Sequence, residues 1–556
     1  MLKLKSEMTP DERLNLGDKI TKNFLDYQDS TQRELTVRIN GVSAKAGASG
    51  KQFVGYTILE QFYRGDQWDH DEQPGASQRT DNYCSVIIDN LSSLPFDDTP
   101  EINCPTDDPT DDLLALKAEM KERMIMRVWE DNDYETEFDD WSKIASLYGD
   151  GFIKGPYLDK DERGRTKISF CHIEDSASIS PIFHDSSRKR LYGFIHHNRI
   201  LLRDAERIYG EQAALKGIKI LPSLNKNIKT LRSTDDMFEK FVNIDEFWTD
   251  EYQSVFINDK LLDFYSHNWG FVPLVYVKAN HSPNYPYGKS DLEDIIDPQL
   301  SHNRTNNDLA NMLKWVTSVN MWGKNIEGMQ ALVSGLSKIY SLPDDGEIHT
   351  FEKPGDPYIA NTVVQQRRSA MVELSGVSES MLSSSQTANA SGRALALAFQ
   401  GTLRKLNPRI KRFKVALSTL NSNILRLYEI AYPQTKVIID EDYRNKVFIP
   451  ATLFRNIVDT INKLQSGIIS LDTAQREAGV MQPKMEQKLM KKTLADPVLG
   501  PQIARQPSLL PRLSEGQNQP GDNPMPGPGN TAVASQGGAV AESAQQAGGA
   551  AAVPTQ

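Results

Sequence analysis

Residues 380–428 constrain this chain more than any other stretch. They open with a small, polar run, SMLSSSQTANASG, with no large apolar residue after Leu382 to anchor it. They continue with apolar residues at helical spacing: Leu403, Leu406, Ile410, Phe413, Leu417, Leu420, Ile424 and Leu427. Between Glu379 and Glu429 there is no acid, whereas Arg393, Arg404, Lys405, Arg409, Lys411, Arg412, Lys414 and Arg426 are all basic. The whole chain has a formal charge of -11, so this is a local inversion of sign. A polar loop feeding a long basic helix points to a surface that meets something anionic. A basic helix face also arises as a solvated face or as the partner of acids elsewhere in the chain, and charge alone does not separate the two.

A length of 556 residues predicts about three or four domains. The 39% hydrophobic content and mean hydropathy of -0.50 describe a chain with much polar surface. Its longest apolar runs, such as residues 271–277, fall far short of the roughly 20 residues a membrane helix needs. The N-terminal MLKLKSEMTPDERL has no apolar signal core, so no secretion is expected. Cys84, Cys104 and Cys171 form no close pair and are expected as reduced thiols, consistent with folding in cytosol. The acidic balance argues against coating nucleic acid over the whole surface and leaves room for a local site.

In chain order, residues 1–50 read as a polar, charged arm ending in small-residue linker material. Helices are predicted over 53–63, 83–94 and 129–148. Two acid-rich stretches, 97–112 and 130–140, lack the fixed spacing of a calcium loop and read as solvated faces or inter-subunit partners. Alternating segments (FIKGPYLD, ISFCHI, LYGFIHH, DEFWTDEYQSVFI, FVPLVYV) then predict strands, with a helix at 201–210 among them. The first 280 residues are thus an α+β body. Ser290-Asp291-Leu292-Glu293 fits a capping box ahead of an Asn-rich helix reaching about residue 315, with Pro298 as a possible kink. A Gly/Pro-rich insert at 319–357, with strands near 338–342 and 347–351, leads into a second helix at 358–374. Asn407-Pro408 predicts a kink in the long helix. A strand pair at 436–439 and 446–449 closes the body, short helices follow to 493, and the Pro/Gly/Ala/Gln/Ser tail from about 496 is expected to be disordered.

No catalytic motif emerges. Gly288-Lys289-Ser290 ends as a P-loop does, but its leading position is Pro283. Adjacent His196 and His197 would face opposite sides of a strand, and there is no HExxH, zinc spacing or GxSxG. The expectation is a protein that is not an enzyme and needs no cofactor or metal.

The order of these features resembles the portal proteins of tailed bacteriophages, the head-to-tail connectors. The resemblance rests on NYCSVIIDNLSSLPFDDTPEI, ASLYGDGFIKGPY, YGKSDLEDIIDPQLSHNRTNNDLANML, GVSESMLSSSQTANASGRALAL and LQSGIISLDTAQREAG, in that order over residues 50–495. It implies a multidomain α+β portal-type fold. The parts would be a polar N-terminal arm (1–50), a wing (51–288), a first stem helix (289–318), a small α/β clip (319–357) and a second stem helix (358–381). A tunnel loop (382–392), a long kinked helix with wing closure (393–449), a helical crown (450–495) and the tail (496–556) would follow.

The resemblance implies a ring, usually of twelve copies, at one capsid vertex of the virion, assembled in host cytoplasm. Double-stranded DNA would be packaged and ejected through its channel. The terminase motor, head-completion or tail adaptor proteins, major capsid protein and scaffold would be its partners, with no membrane. Ser383, Ser384, Ser385, Gln386, Thr387 and Asn389 would make weak neutral contacts to DNA. DNA carries a charge per about 1.7 Å of axis, so tight phosphate binding would oppose sliding. Arg367, Arg368, Arg393, Arg404 and Lys405 are candidates to face DNA or a neighbouring subunit, whose acids would meet them heterologously around a closed ring. Asp344 and Asp345 are candidates for docking at the clip. The alternatives are another capsid-associated structural protein, an adaptor or scaffold, and, less favoured, a packaging enzyme.

Overall fold

The computed structural model describes residues 8–40, 54–68, 79–108, 111–160, 163–184, 190–220, 241–282, 287–317, 321–324, 345, 347–350, 357–379 and 399–449, with single positions between 463 and 491. The chain divides into two compact units, Met1–Asn456 and Ile457–Gln556. In the second, Gln487 Nε2 donates to Gln475 Oε1 at 2.8 Å.

The first unit mixes helix and sheet. Helix α1 (Pro10–Asn40) opens it, followed by α2 (Tyr56–Arg64), α3 (Tyr83–Ser93), strand β1 (Glu101–Asn103), α4 (Asp112–Asp131) and α5 (Tyr134–Tyr148). Strands β2 (Asp150–Lys160), β3 (Thr166–His172), β4 (Ile179–Phe183) and β5 (Leu191–Leu201) precede α6 (Leu202–Leu215). Then come β6 (Phe241–Thr249), β7 (Tyr252–Ile257), β8 (Lys260–Ser266), β9 (Leu274–Lys278), β10 (Asn280–His281) and β11 (Gly288–Lys289). Helix α7 (Ile296–Thr317), strands β12 (Met321–Lys324) and β13 (Glu347–Thr350), helices α8 (Pro357–Ser375), α9 (Gln400–Ala431) and α10 (Lys436–Ile439), and strand β14 (Lys446–Phe448) complete it.

Strands β4 to β8 form an antiparallel meander in sequence order, and β2 is the centre of a second sheet between β3 and β9. Lys154 on β2 joins the two sheets by an ion pair to Glu246 on β6 at 2.7 Å. His196 faces that pair, at 3.3 Å from Lys154 Nζ, while His197 points away to Asp245 at 2.7 Å. The two histidines therefore serve separate networks, as strand alternation requires.

The long helix is the spine of the main core. Its buried positions, Leu406, Ile410, Phe413, Leu417, Leu420, Ile424 and Leu427, repeat at alternating spacings of four and three, which keeps one stripe inward along the helix. Phe413 meets Trp141 edge-on at 4.8 Å and Phe96 at 5.1 Å. Farther along, Asn421 Oδ1 accepts the Trp129 indole N–H at 3.0 Å, so the buried indole donor is paired.

Several expectations are corrected. The N-terminal segment is a 31-residue helix rather than only a polar arm, and it buries Ile20 and Phe24 against the meander. Phe24 stacks on Phe256 at 3.8 Å. Near its end Arg38 donates to the Ile179 and Ser176 carbonyls at 2.8 Å, and to Tyr56, whose hydroxyl bonds Asp150 at 2.6 Å. Residues 436–439 are a helical turn, not a strand. Only Ile439 of that β-branched run is buried, directly after the turn begun by Pro433. The partner of β14 is β1, far away in sequence.

Pro408 lies inside a continuous 32-residue helix, on its exposed side, where water can take the carbonyl that lacks a donor. Pro298 is in the first turn of α7, where its missing amide is no loss. In the insert, β13 pairs with β12, and residues 338–342 lie outside the described set.

Candidate functional site: a joint between the long helix and the helix pair

The inward stripe of α9 carries cations as well as hydrocarbon. Lys405, Arg409 and Arg412 follow one another at spacings of four and three, interleaved with Leu406, Ile410 and Phe413. Arg409 has no exposed surface. It donates to Asp291 Oδ2 at 2.5 Å and to Ser146 Oγ at 3.0 Å. Lys405 reaches the other oxygen of Asp291 at 3.0 Å and donates to the Ser375 carbonyl, at the end of α8, at 2.5 Å. Arg412 donates to the Ala279 carbonyl at 2.6 Å.

Asp291 is also held by groups other than the cations. Its amide donates to the Ser146 carbonyl at 3.1 Å, and its carboxylate accepts from Ser146 Oγ at 2.5 Å and Asn280 Nδ2 at 2.9 Å. The chain reaches this point because Gly149, left-handed at φ +88°, closes α5 and lies against Gly288. A Cβ on Gly288 would come within 1.9 Å of the Gly149 carbonyl oxygen. Gly288-Lys289-Ser290 is thus a packing corner, not a phosphate loop.

Burial alone would raise the Asp291 pKa. Arg409, Lys405 and the Ser146 hydroxyl outweigh it and hold the carboxyl well below the usual range. A buried carboxylate is tolerated only with such full compensation. Glu293, two residues on, is pushed by burial up to about 7, although it accepts the Ser290 amide at 3.2 Å. That bond is half of the expected capping box. Ser290 Oγ accepts the Leu292 amide at 3.1 Å rather than that of Glu293, so the reciprocal bonds form a turn ahead of α7, which begins at Ile296.

The asparagines of α7 have a separate task. Gln299, Asn303 and Asn307, four residues apart, form a ladder along one helix face. Gln299 Nε2 donates to the Asp81 carbonyl at 2.5 Å, Asn303 Oδ1 accepts the Asp81 amide at 3.2 Å, and Asn307 Oδ1 accepts the Arg79 amide at 3.1 Å. Asn303 also donates to Gln67 at 2.6 Å. The ladder binds an extended piece of backbone, residues 79–82, against the helix. His302 lies buried beside it, edge-on to Tyr83 at 5.4 Å and 3.8 Å from Asp81. Burial lowers its pKa.

The expected site residues fall as follows. Ser383, Ser384, Ser385, Gln386, Thr387, Asn389 and Arg393 lie outside the described residues, as does Asp344; Asp345 is exposed. Arg404 is exposed on α9 and Arg367 is half-buried on α8. Arg368 lies over the Tyr83 ring at 5.8 Å. Lys405 is drawn into the joint. In the sequence Arg409 stands only as one of eight bases and Asp291 only within a capping box, although one signal links Arg409 to a buried partner: it lies in the apolar register of α9, where an unpaired guanidinium would not be tolerated. Among the described residues no group of His, Cys, Asp and Glu could hold a metal ion, and no helix is long and apolar enough to cross a membrane.

The arrangement is a mixed α and β body tied by a charged joint to a helix pair. The family model for phage portal protein, SPP1 Gp6-like, matches residues 57–496, and the chain belongs to that family, which is structural rather than enzymatic. No curated protein matches the chain.

Proposed function

We propose that this portal protein assembles as a ring, of twelve copies, at one capsid vertex, and that double-stranded DNA enters and leaves through its channel. The carrying observation is the junction of α8 and α9. In sequence the polar stretch 382–392 lies between α8, which ends at Ser375, and α9, which begins at Gln400, and both helices are fixed to the body at the Asp291 joint. A stretch without apolar anchors suits a lining that touches moving DNA without gripping it.

In this reading α7 and α8 are the stem and the β12–β13 pair belongs to a clip at 319–357. The body (51–288 with 393–449) is the wing, and 450–495 is the crown facing the capsid interior. The clip, with Asp344 and Asp345, docks the terminase motor and later the head-completion or tail adaptor proteins. Of the candidate bases, Arg367, Arg368, Arg393 and Arg404 would face DNA or a neighbouring copy. Arg409 is not among them, being buried against Asp291.

The test is negative-stain imaging of purified protein, followed by replacement of residues 383–388 with two glycines. Rings with a central hole are expected from both proteins, and capsids carrying the shortened form should package or retain DNA poorly. Monomers from the parent chain would overturn the ring. Full-length DNA packaged at normal yield by the shortened form would remove the loop from the channel.

A further inference from the structure

The end of α8 and the first turns of α9 are fastened to each other by three contacts. Lys405 Nζ donates to the Ser375 carbonyl at 2.5 Å, between residues 30 apart in sequence. The Ser378 amide donates to Thr402 Oγ1 at 3.0 Å, and Thr402 is fully buried. Gly376, at φ +69°, lies beneath the aliphatic stem of Lys405, where a Cβ would come within 3.0 Å of Cδ.

Each contact has a physical cause. A helix ends in carbonyls without intrahelical donors and with partial negative charge, so an ammonium group there is stabilised. Gly376 closes α8 in the left-handed conformation, its amide bonded back to the Val372 and Glu373 carbonyls. The absence of a side chain at that glycine is what lets the lysine stem cross over it. Because Lys405 also pairs with Asp291 at 3.0 Å, the fastening is tied to the body.

We propose that Lys405, Thr402 and Gly376 form a clasp that joins residues 375–378 to 402–405 and so closes the stretch of chain that includes the polar segment 382–392, with Lys405 a positioning residue rather than a DNA contact. The proposal rests on the reading of that segment as the one that touches DNA. Joining the ends removes much of the conformational freedom of the intervening chain. In a ring, it also starts every copy of the segment from the same radius.

The charge arrangement makes the clasp separable from the fold. Without Lys405, Asp291 still has Arg409 at 2.5 Å and is not left buried and unpaired. Lys405 is 24% exposed, whereas Arg409 has no exposed surface. Removing the lysine therefore loosens the α8–α9 contact and leaves the body intact.

The test uses the assembled full chain with Cys171→Ser, since Cys84 and Cys104 are buried, and a spin label on a Ser384→Cys substitution. In Lys405→Met rings the label should become more mobile, with the thermal midpoint shifted by no more than about 2 °C. Packaged DNA should fall several-fold. The salt dependence of DNA binding should stay unchanged, because no phosphate contact is lost. An unchanged label spectrum, or failure to assemble, overturns the clasp. So does a salt slope reduced by about one, the mark of a lost phosphate contact. A second variant, Ser378→Cys with Thr402→Cys, joins the two ends by a disulfide. It should package normally; a block relieved by reductant would show that the contact must open and would overturn the clasp as a fixed fastening. Failure of the underlying reading looks different: the label still responds to Lys405→Met, but shortening residues 383–388 leaves packaging unaffected.

Discussion

Arg409 and Asp291 meet at 2.5 Å with neither side chain exposed, and they come from positions 118 residues apart. Breaking one side of a buried pair leaves a charge with neither water nor a full complement of partners. Arg409→Met should therefore cost about 3–5 kcal/mol, read as loss of soluble assembled protein or a large fall in the urea midpoint. Asp291 has a depressed pKa, so its contribution is present at neutral pH and is lost progressively as pH falls below about 4. Asp291→Asn should be less stable than the parent at pH 7, and the difference should shrink in acid. Equal stabilities at pH 7 would mean that the pair contributes nothing net.

Glu293 gives the opposite sign. Its folded-state pKa is raised to about 7, so its protonated form is favoured by folding. That contribution is complete below about 4.3, the ordinary glutamate value, and disappears as pH rises through about 7. Glu293→Gln keeps an acceptor for the Ser290 amide and removes the charge. The variant should equal the parent near pH 4 and exceed it at pH 8 by about 1 kcal/mol, a figure reduced for partial exposure. Thermal midpoints across that range check it, and parallel curves would refute it.

The amide ladder predicts a local cost. Asn303→Ala removes the acceptor for the Asp81 amide and the donor to Gln67. A loss of about 1–3 kcal/mol is expected, with faster hydrogen exchange at Asp81 and Arg79. Exchange unchanged at those amides would show that the segment is held by other contacts.

What could be read in the sequence followed period. Strands β2, β3, β5, β6, β7 and β9, helices α3 and α8 and the inward stripe of α9 were legible from local pattern, whereas β4 and β8 lie outside the alternating segments. Helix α1 carried a signal too. Thr9-Pro10-Asp11-Glu12 is a capping box with proline at the first helical position: Thr9 N donates to Glu12 Oε2 at 2.8 Å and Glu12 N to Thr9 Oγ1 at 3.3 Å. Leu16, Ile20, Phe24 and Tyr27 follow at helical spacing, but the polar composition around them hid the stripe. The pairing of β1 with β14, the binding of residues 79–82 by α7 and the Asp291 joint have no periodicity in the chain. They arise when distant segments meet, and only the oddity of an arginine in an apolar register pointed toward one of them.

For the clip, the docking reading predicts a separation of assembly from capture. Replacing Asp344 and Asp345 with asparagines should leave ring formation unchanged and weaken binding of the packaging motor several-fold in a pull-down at moderate salt. Motor capture and packaging both at parental levels would remove the two acids from the docking surface.

The two ends of the chain should respond differently to truncation. Ending the protein after Asp496 removes a tail of Pro, Gly, Ala, Gln and Ser, which has little apolar surface to contribute to a fold. Ring-sized particles should persist on a sizing column. Removing residues 1–40 instead uncovers the meander face that Ile20 and Phe24 bury, including Phe247 and Phe256, and removes Arg38 from the Tyr56 hydroxyl that bonds Asp150. That truncation should aggregate. Phe24→Ala separates packing from wholesale exposure: the stack on Phe256 is lost and a cavity remains, at a cost of about 3–5 kcal/mol. A soluble, ring-forming protein lacking residues 1–40, with a thermal midpoint equal to the parent's, would show that α1 is an appendage and that the meander is stable without it.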